Sequence, residues 1–163
     1  MTVHHQLNDL IARMLPVVQD FHRRGMFSPH AATIDAAGAV AGHALTTDGT
    51  TQLSVSQAIE HFERKFAAQG RLGEVCGTGI FYHSGGIDAS RGQVSLPPAT
   101  TTDECRNVVA LLEHVSGDSV YLLIPYSGEP PKIQYEVGKL IDKPAAVFIH
   151  KPLREKKTWW KFW

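Results

Sequence analysis

The sequence predicts an α+β fold: a two-layer sandwich with two helices on one face of a mainly antiparallel sheet. Two segments repeat apolar residues at intervals of three and four, the mark of a helix with one buried face. Several others are apolar runs of strand length. Most neighbouring strands are joined by short turns, which make antiparallel pairs. The predicted order is α-β-β-α-β-β-β, and the helices must bury their stripes against the sheet.

Length and composition suit this class. The 163 residues fit one domain, placed at residues 1–150, with a basic tail at 151–163. Hydrophobic residues make up 43% and charged residues 20%, an ordinary globular balance. Sixteen basic residues offset sixteen acidic ones, so no global field attracts nucleic acid. The balance is uneven along the chain. From Lys151 onward five basic residues stand against Glu155, leaving the tail at +4 and residues 1–150 at −4. Cys76 and Cys105 have neither zinc nor redox spacing. The first residues lack the pattern of a signal peptide, and no run approaches a membrane span. A cytoplasmic protein with free thiols is the expectation.

The first helix covers residues 4–24, with Leu7, Leu10, Ile11, Met14, Leu15, Val18 and Phe21 on one face. Pro16 removes a backbone donor, so either the helix kinks there or two shorter helices meet. Gly25 is a plausible stop. A hairpin follows over Ala31–Leu45, turning at Gly38, and Asp48–Gly49 is a further turn signal. Ser54 and Gln57 make a capping box for the second helix, whose stripe is Val55, Ala58, Ile59, Phe62 and Phe66 and which ends at Gly70. Glu60 and Arg64 pair on its exposed side.

A strand is expected over Glu74–His83. Some twenty turn-forming residues follow, a long loop with a short edge piece at Val94–Leu96. Asn107–Val115 and Ser119–Tyr126 form the next hairpin. Ile133, Tyr135 and Val137 alternate onto one face of another strand, and Ala145–Ile149 suggests one more.

Glu113 and His114 stand side by side in the first arm of that hairpin. With a two-residue turn at Gly117–Asp118, Glu113 faces Leu122 and His114 faces Tyr121. Adjacent strand residues point to opposite faces, so the two side chains cannot form an acid–imidazole dyad. Each can act only with other partners. Glu113 is expected to be a rim or satisfied acid, or else a buried acid with a raised pKa. His114 is expected to be a packed sheet residue.

The run Leu112-Glu113-His114, Ser116-Gly117, Ser119-Val120 and Pro125-Tyr126 resembles the hairpin of a group of uncharacterised bacterial proteins. "FSPHAATIDAAGAV" is similar to their opening strand, and the helix at 54–70 sits where theirs does. The long insertion after Ser84 and the Trp-rich end depart from that pattern. The resemblance implies a small α+β cytoplasmic domain with no assigned activity or site residues.

Nine histidines (4, 5, 22, 30, 43, 61, 83, 114 and 150) show no metal-site spacing, and neither a metal nor a cofactor is expected. His83, at the mouth of the long loop that leads to Cys105, is the best candidate for a site assembled in three dimensions. Gly77 and Gly79 lie in a strand rather than before a helix, so they mark a bulge or a close approach and not a phosphate loop. No nucleophile elbow is present.

The tail "REKKTWWKFW" holds all three tryptophans. Trp159, Trp160, Phe162 and Trp163 stand among Lys156, Lys157 and Lys161. Such a cluster suits docking on its own domain, on a partner or second copy, or on an anionic membrane surface through a weak contact. The leading expectation is a non-catalytic, cytoplasmic protein-interaction domain. An enzyme with a site near His83, the 84–104 loop and Glu113 is the alternative, and a peripheral membrane protein using the tail is a third.

Overall fold

The structure, a computed structural model, describes residues 2–45, 53–84 and 106–149. The order is α1 (His5–Arg23), β1 (His30–Asp35), β2 (Val40–Ala44), α2 (Val55–Arg71), β3 (Val75–Ser84), β4 (Asn107–His114), β5 (Ser119–Glu129), β6 (Lys132–Tyr135) and β7 (Lys139–Asp142). The class is α+β, and the seven strands form one antiparallel sheet ordered β2-β1-β3-β4-β5-β6. β5 is long enough to pair twice on its outer side, with β7 through Val120–Leu123 and with β6 through Tyr126–Glu129.

The helices do not share a face, which corrects the two-layer expectation. Leu7, Leu10, Met14 and Val18 of α1 pack on Ala32, Ile34, Phe81, Val108, Ala110 and Leu112. Ile59, Phe62 and Phe66 of α2 pack on Ala31, Ile80, Tyr82, Val109 and Leu111. Those strand residues alternate, so one helix covers each side. β4 is buried at every position. The unbroken run in "NVVALL" carries the physical reason, because a strand covered on both faces has no polar side to alternate.

Pro16 lies inside a single helix rather than between two. Its side is exposed, as is Ala12, where solvent can reach the carbonyl that loses its donor. The buried stripe runs on from Val18 to His22, where Phe21 was expected. The first hairpin turns as predicted. Asp35 Oδ1 accepts the backbone N–H of Ala37 and Ala39, both at 2.9 Å, and Gly38 takes φ +86°. At α2 the capping box is complete, with Ser54 and Gln57 each accepting the other's N–H.

The second hairpin differs from its expected register by three residues. Glu113 pairs with Ser119, Leu112 with Val120 and Leu111 with Tyr121. The turn takes three residues, Val115, Ser116 and Gly117, because His114 N–H closes on the Asp118 carbonyl and Gly117 sits at φ +111°. Past β6 the expected strand stops at Tyr135, leaving Val137 94% exposed. β7 was not anticipated, and Ala145–Ile149 is not a strand. The Val94–Leu96 edge piece and the Asp48–Gly49 turn lie outside the described residues.

Gly79 marks a close approach, made by a helix side chain. A Cβ there would stand 2.7 Å from Leu10 Cδ2 and 3.3 Å from Leu112 Cδ2. Gly79→Ala is therefore expected to cost about 1–3 kcal/mol through overpacking. Urea unfolding measures this, and a loss below about 0.5 kcal/mol would show that α1 does not seat so closely on β3.

Candidate functional site

Glu113 sits in the middle of the sheet on the α2 side, and every acceptor position of its carboxylate is used. Oε1 accepts from Lys143 Nζ (2.5 Å) and Ala146 N–H (2.8 Å). Oε2 accepts from Val147 N–H (2.9 Å) and Phe148 N–H (3.1 Å). Three successive backbone donors thus form an anion-binding nest, which explains why 145–149 makes no ladder. Four donors occupy the four lone-pair sites of the carboxylate, leaving none for a ligand. Glu113 is a structural clamp. Its ion pair with Lys143 is deeply buried, the two side chains being 3% and 4% exposed.

His114 points to the α1 side and is equally engaged. Ser116 N–H donates to its Nδ1 at 3.1 Å, so Nε2 carries the proton and donates to Gln6 Oε1 at 2.8 Å. The ring stacks on His4 at 3.8 Å, and His4 N–H donates to Asp118 Oδ2 at 2.6 Å. These contacts tie the start of α1 to the hairpin. Burial, followed by the neighbouring His4, holds the His114 pKa below its usual value.

His83 also faces α1. It packs against His22 with ring centroids 4.1 Å apart, with Tyr126 at 6.1 Å and Phe27 at 5.2 Å. Both imidazoles are buried, His22 being 1% and His83 4% exposed. Burial lowers their pKa values to about 4 and about 3; the charge of Arg106 adds to the effect at His22, and His22 adds to it at His83. His22 Nδ1 bonds Tyr135 Oη at 2.8 Å. His22 Nε2, His83 Nδ1 and Tyr126 Oη have no hydrogen-bond partner among the described residues. Arg106 and Arg23 lie over the rings of Tyr126 and Tyr135.

The combined site of His83 and Glu113 does not form. His83 pairs with Val108 and Glu113 with Thr78, which places them five positions apart along β3 and on opposite faces of the sheet. The tail residues Trp159, Trp160, Phe162, Trp163, Lys156, Lys157 and Lys161, and the 84–104 loop beyond Ser84, lie outside the described residues.

A cleft of about 380 Å³ opens on the α2 side, within the range of small-ligand sites. One wall is α2, with Ser56, Ile59, Glu60 and Glu63. The floor is Leu111 with the rings of Tyr82 and Tyr121, and Lys143–Ala146 close the far side. Glu113 acts one step behind that wall, since its nest fixes 143–148 in place. Lys143 offers a ligand nothing, because its three donors are taken by Glu113, Ser119 Oγ (3.2 Å) and the Pro144 carbonyl (2.9 Å).

Glu63 is the opposite case. It is half-buried in the cleft, and no hydrogen bond or ion pair engages its carboxylate among the described residues. Burial holds its pKa above the usual carboxylate range; Lys143 opposes this, while Glu113 and Glu60 add to it. Glu60 itself pairs with Arg64 at the rim. Among the described residues the cleft therefore presents an acid without an ion-pair partner and two aromatic rings, the complement of an organic cation.

Sequence reasoning passed over this site for identifiable reasons. Glu63 follows Ile59 by four residues and so flanks the buried stripe of α2, a signal that was present. Lys143 had none, because β7 positions it. Among the described residues no three His, Cys, Asp or Glu side chains gather so as to hold a metal ion, and no helix is long and apolar enough to cross a membrane. Comparison of the chain with protein-family models, curated proteins and solved structures gives no match.

Proposed function

We propose that this chain is a non-catalytic protein-interaction domain that reads a basic side chain of its partner in the Glu63 cleft. The observation that carries the reading is the half-buried carboxylate of Glu63, beside two tyrosine rings and without a hydrogen-bond or ion-pair partner among the described residues. A lysine or arginine entering there gains an ion pair and ring contact, and meets no free cation because Glu113 matches Lys143. The cytoplasm is the compartment proposed, supported by Cys76, which forms no disulfide.

The test is calorimetric titration of the full chain with a capped five-residue peptide bearing one central lysine. Binding is expected at a Kd of about 10⁻⁴–10⁻³ M. Glu63→Gln is expected to weaken it about tenfold, and a glutamate-centred peptide should not bind. Only the ionised acid pairs with a cation, so affinity should fall as pH drops through the raised Glu63 pKa. Butylamine binding as tightly as the peptide would instead make this a receptor for small amines. An affinity indifferent to Glu63→Gln would sink the reading altogether.

A further inference from the structure

The chain runs along the cleft as it leaves the described structure. Lys143–Ala146 wall the cleft, and Val147 and Phe148 are then buried beneath α2. Phe148 lies against the last turn of the helix, where a Cβ at Gly70 would meet its Cε1 at 2.9 Å. Lys156 follows Phe148 by eight residues, an extended reach of up to ~26 Å. From Gly70 back to Glu63 the helix spans only ~10 Å. Lys156 and Lys157 are therefore within tether range of the Glu63 carboxylate.

Charge favours the same meeting. Residues 151–163 carry +4 and residues 1–150 carry −4, so the attraction is built into one chain. A short tether also presents its ligand at an effective concentration in the millimolar range. That matches or exceeds the weak affinity expected of a single lysine, so a tethered lysine occupies such a cleft for much of the time.

We propose that the basic segment Lys156–Lys161 of this chain seats a lysine in the Glu63 cleft in cis, so that a partner's basic side chain must displace it. The inference rests on the cation-binding reading of the cleft. It makes the tail a built-in competitor that sets a threshold for partner binding.

All three tryptophans lie in the tail, so intrinsic fluorescence of the full chain reports its state. Adding the lysine peptide should shift the emission to the red and increase acrylamide quenching. The Glu63→Gln chain should start from that red-shifted, quenchable emission. A chain carrying Lys156→Gln, Lys157→Gln and Lys161→Gln, which leaves the domain untouched, should bind the peptide about tenfold more tightly than the wild type. Equal peptide affinity of wild type and tail variant, with emission indifferent to Glu63→Gln, would overturn the tail's role while leaving the cleft reading intact. Emission that depends on protein concentration would overturn docking in cis by placing a second copy in the cleft. No binding to any of the chains would bring down the cleft reading and this inference together.

Discussion

Glu113→Ala is expected to destabilise the protein by about 3–5 kcal/mol, the usual cost of breaking a buried, hydrogen-bonded ion pair from one side. The substitution leaves the Lys143 ammonium and the N–H groups of residues 146–148 without their acceptor in a site that water reaches poorly. It also frees the segment that carries Val147 and Phe148 into the α2-side core. For a domain of this size the loss corresponds to a fall in Tm of roughly 10 °C or more. Lys143→Met should cost less, because the carboxylate would keep its three backbone donors. Denaturant unfolding of the two variants measures the difference. A Glu113→Ala loss below about 1 kcal/mol, or a larger loss for Lys143→Met, would show that the nest is not what holds 143–148.

The second large effect is a steep loss of stability in mild acid. His22 and His83 have folded pKa values near 4 and 3, below the unfolded value of 6.5. Between those limits the unfolded chain binds protons that the native chain refuses. Their contribution is thus fully present above pH 6.5 and is lost as pH falls toward 4. Each histidine costs about 1.4 kcal/mol per pH unit inside that window, so the pair removes roughly 4 kcal/mol between pH 7 and pH 5. Burial lowers the His30, His43 and His114 pKa values too, and these act in the same direction. Against a typical total of about 5–15 kcal/mol, the domain should approach unfolding near pH 4. Urea titrations at pH 7 and pH 5 test this, with His83→Leu expected to flatten the dependence by about half of the pair's share. A wild-type stability that is level across those pH values would contradict the buried, neutral pair.

The elements most visible in the sequence were those fixed locally. The capping box at Ser54 and Gln57 needs only four residues to be recognised, and the structure completes it. The turn at Asp35–Ala39 is likewise a matter of one aspartate and one glycine. What escaped was set at a distance. Whether two helices share a face depends on which sides of β3 and β4 are apolar, and both sides are. The hairpin register turned on one choice, two turn residues or three, and an odd slip of three changes which cross-strand neighbours share a face. Ala145–Ile149 has strand-like composition, yet its donors answer a carboxylate from the centre of the sheet. Glu113 was legible as a satisfied acid, but its partners lie 30 to 35 positions away. His83 was singled out as the candidate for a site assembled in three dimensions, and the structure packs its ring against His22, Phe27 and Tyr126. His22, its closest ring neighbour, was hidden on a helix whose stripe ended on Phe21 one residue short.

The most direct test of the cleft is to observe a basic side chain inside it. Intermolecular nuclear Overhauser effects between the lysine ε-methylene protons of the bound peptide and the ring protons of Tyr82 and Tyr121 are the predicted result, disappearing in Glu63→Gln. Contacts from that methylene to the His22–His83 cluster on the opposite face, or to neither tyrosine, would place recognition elsewhere and contradict the account.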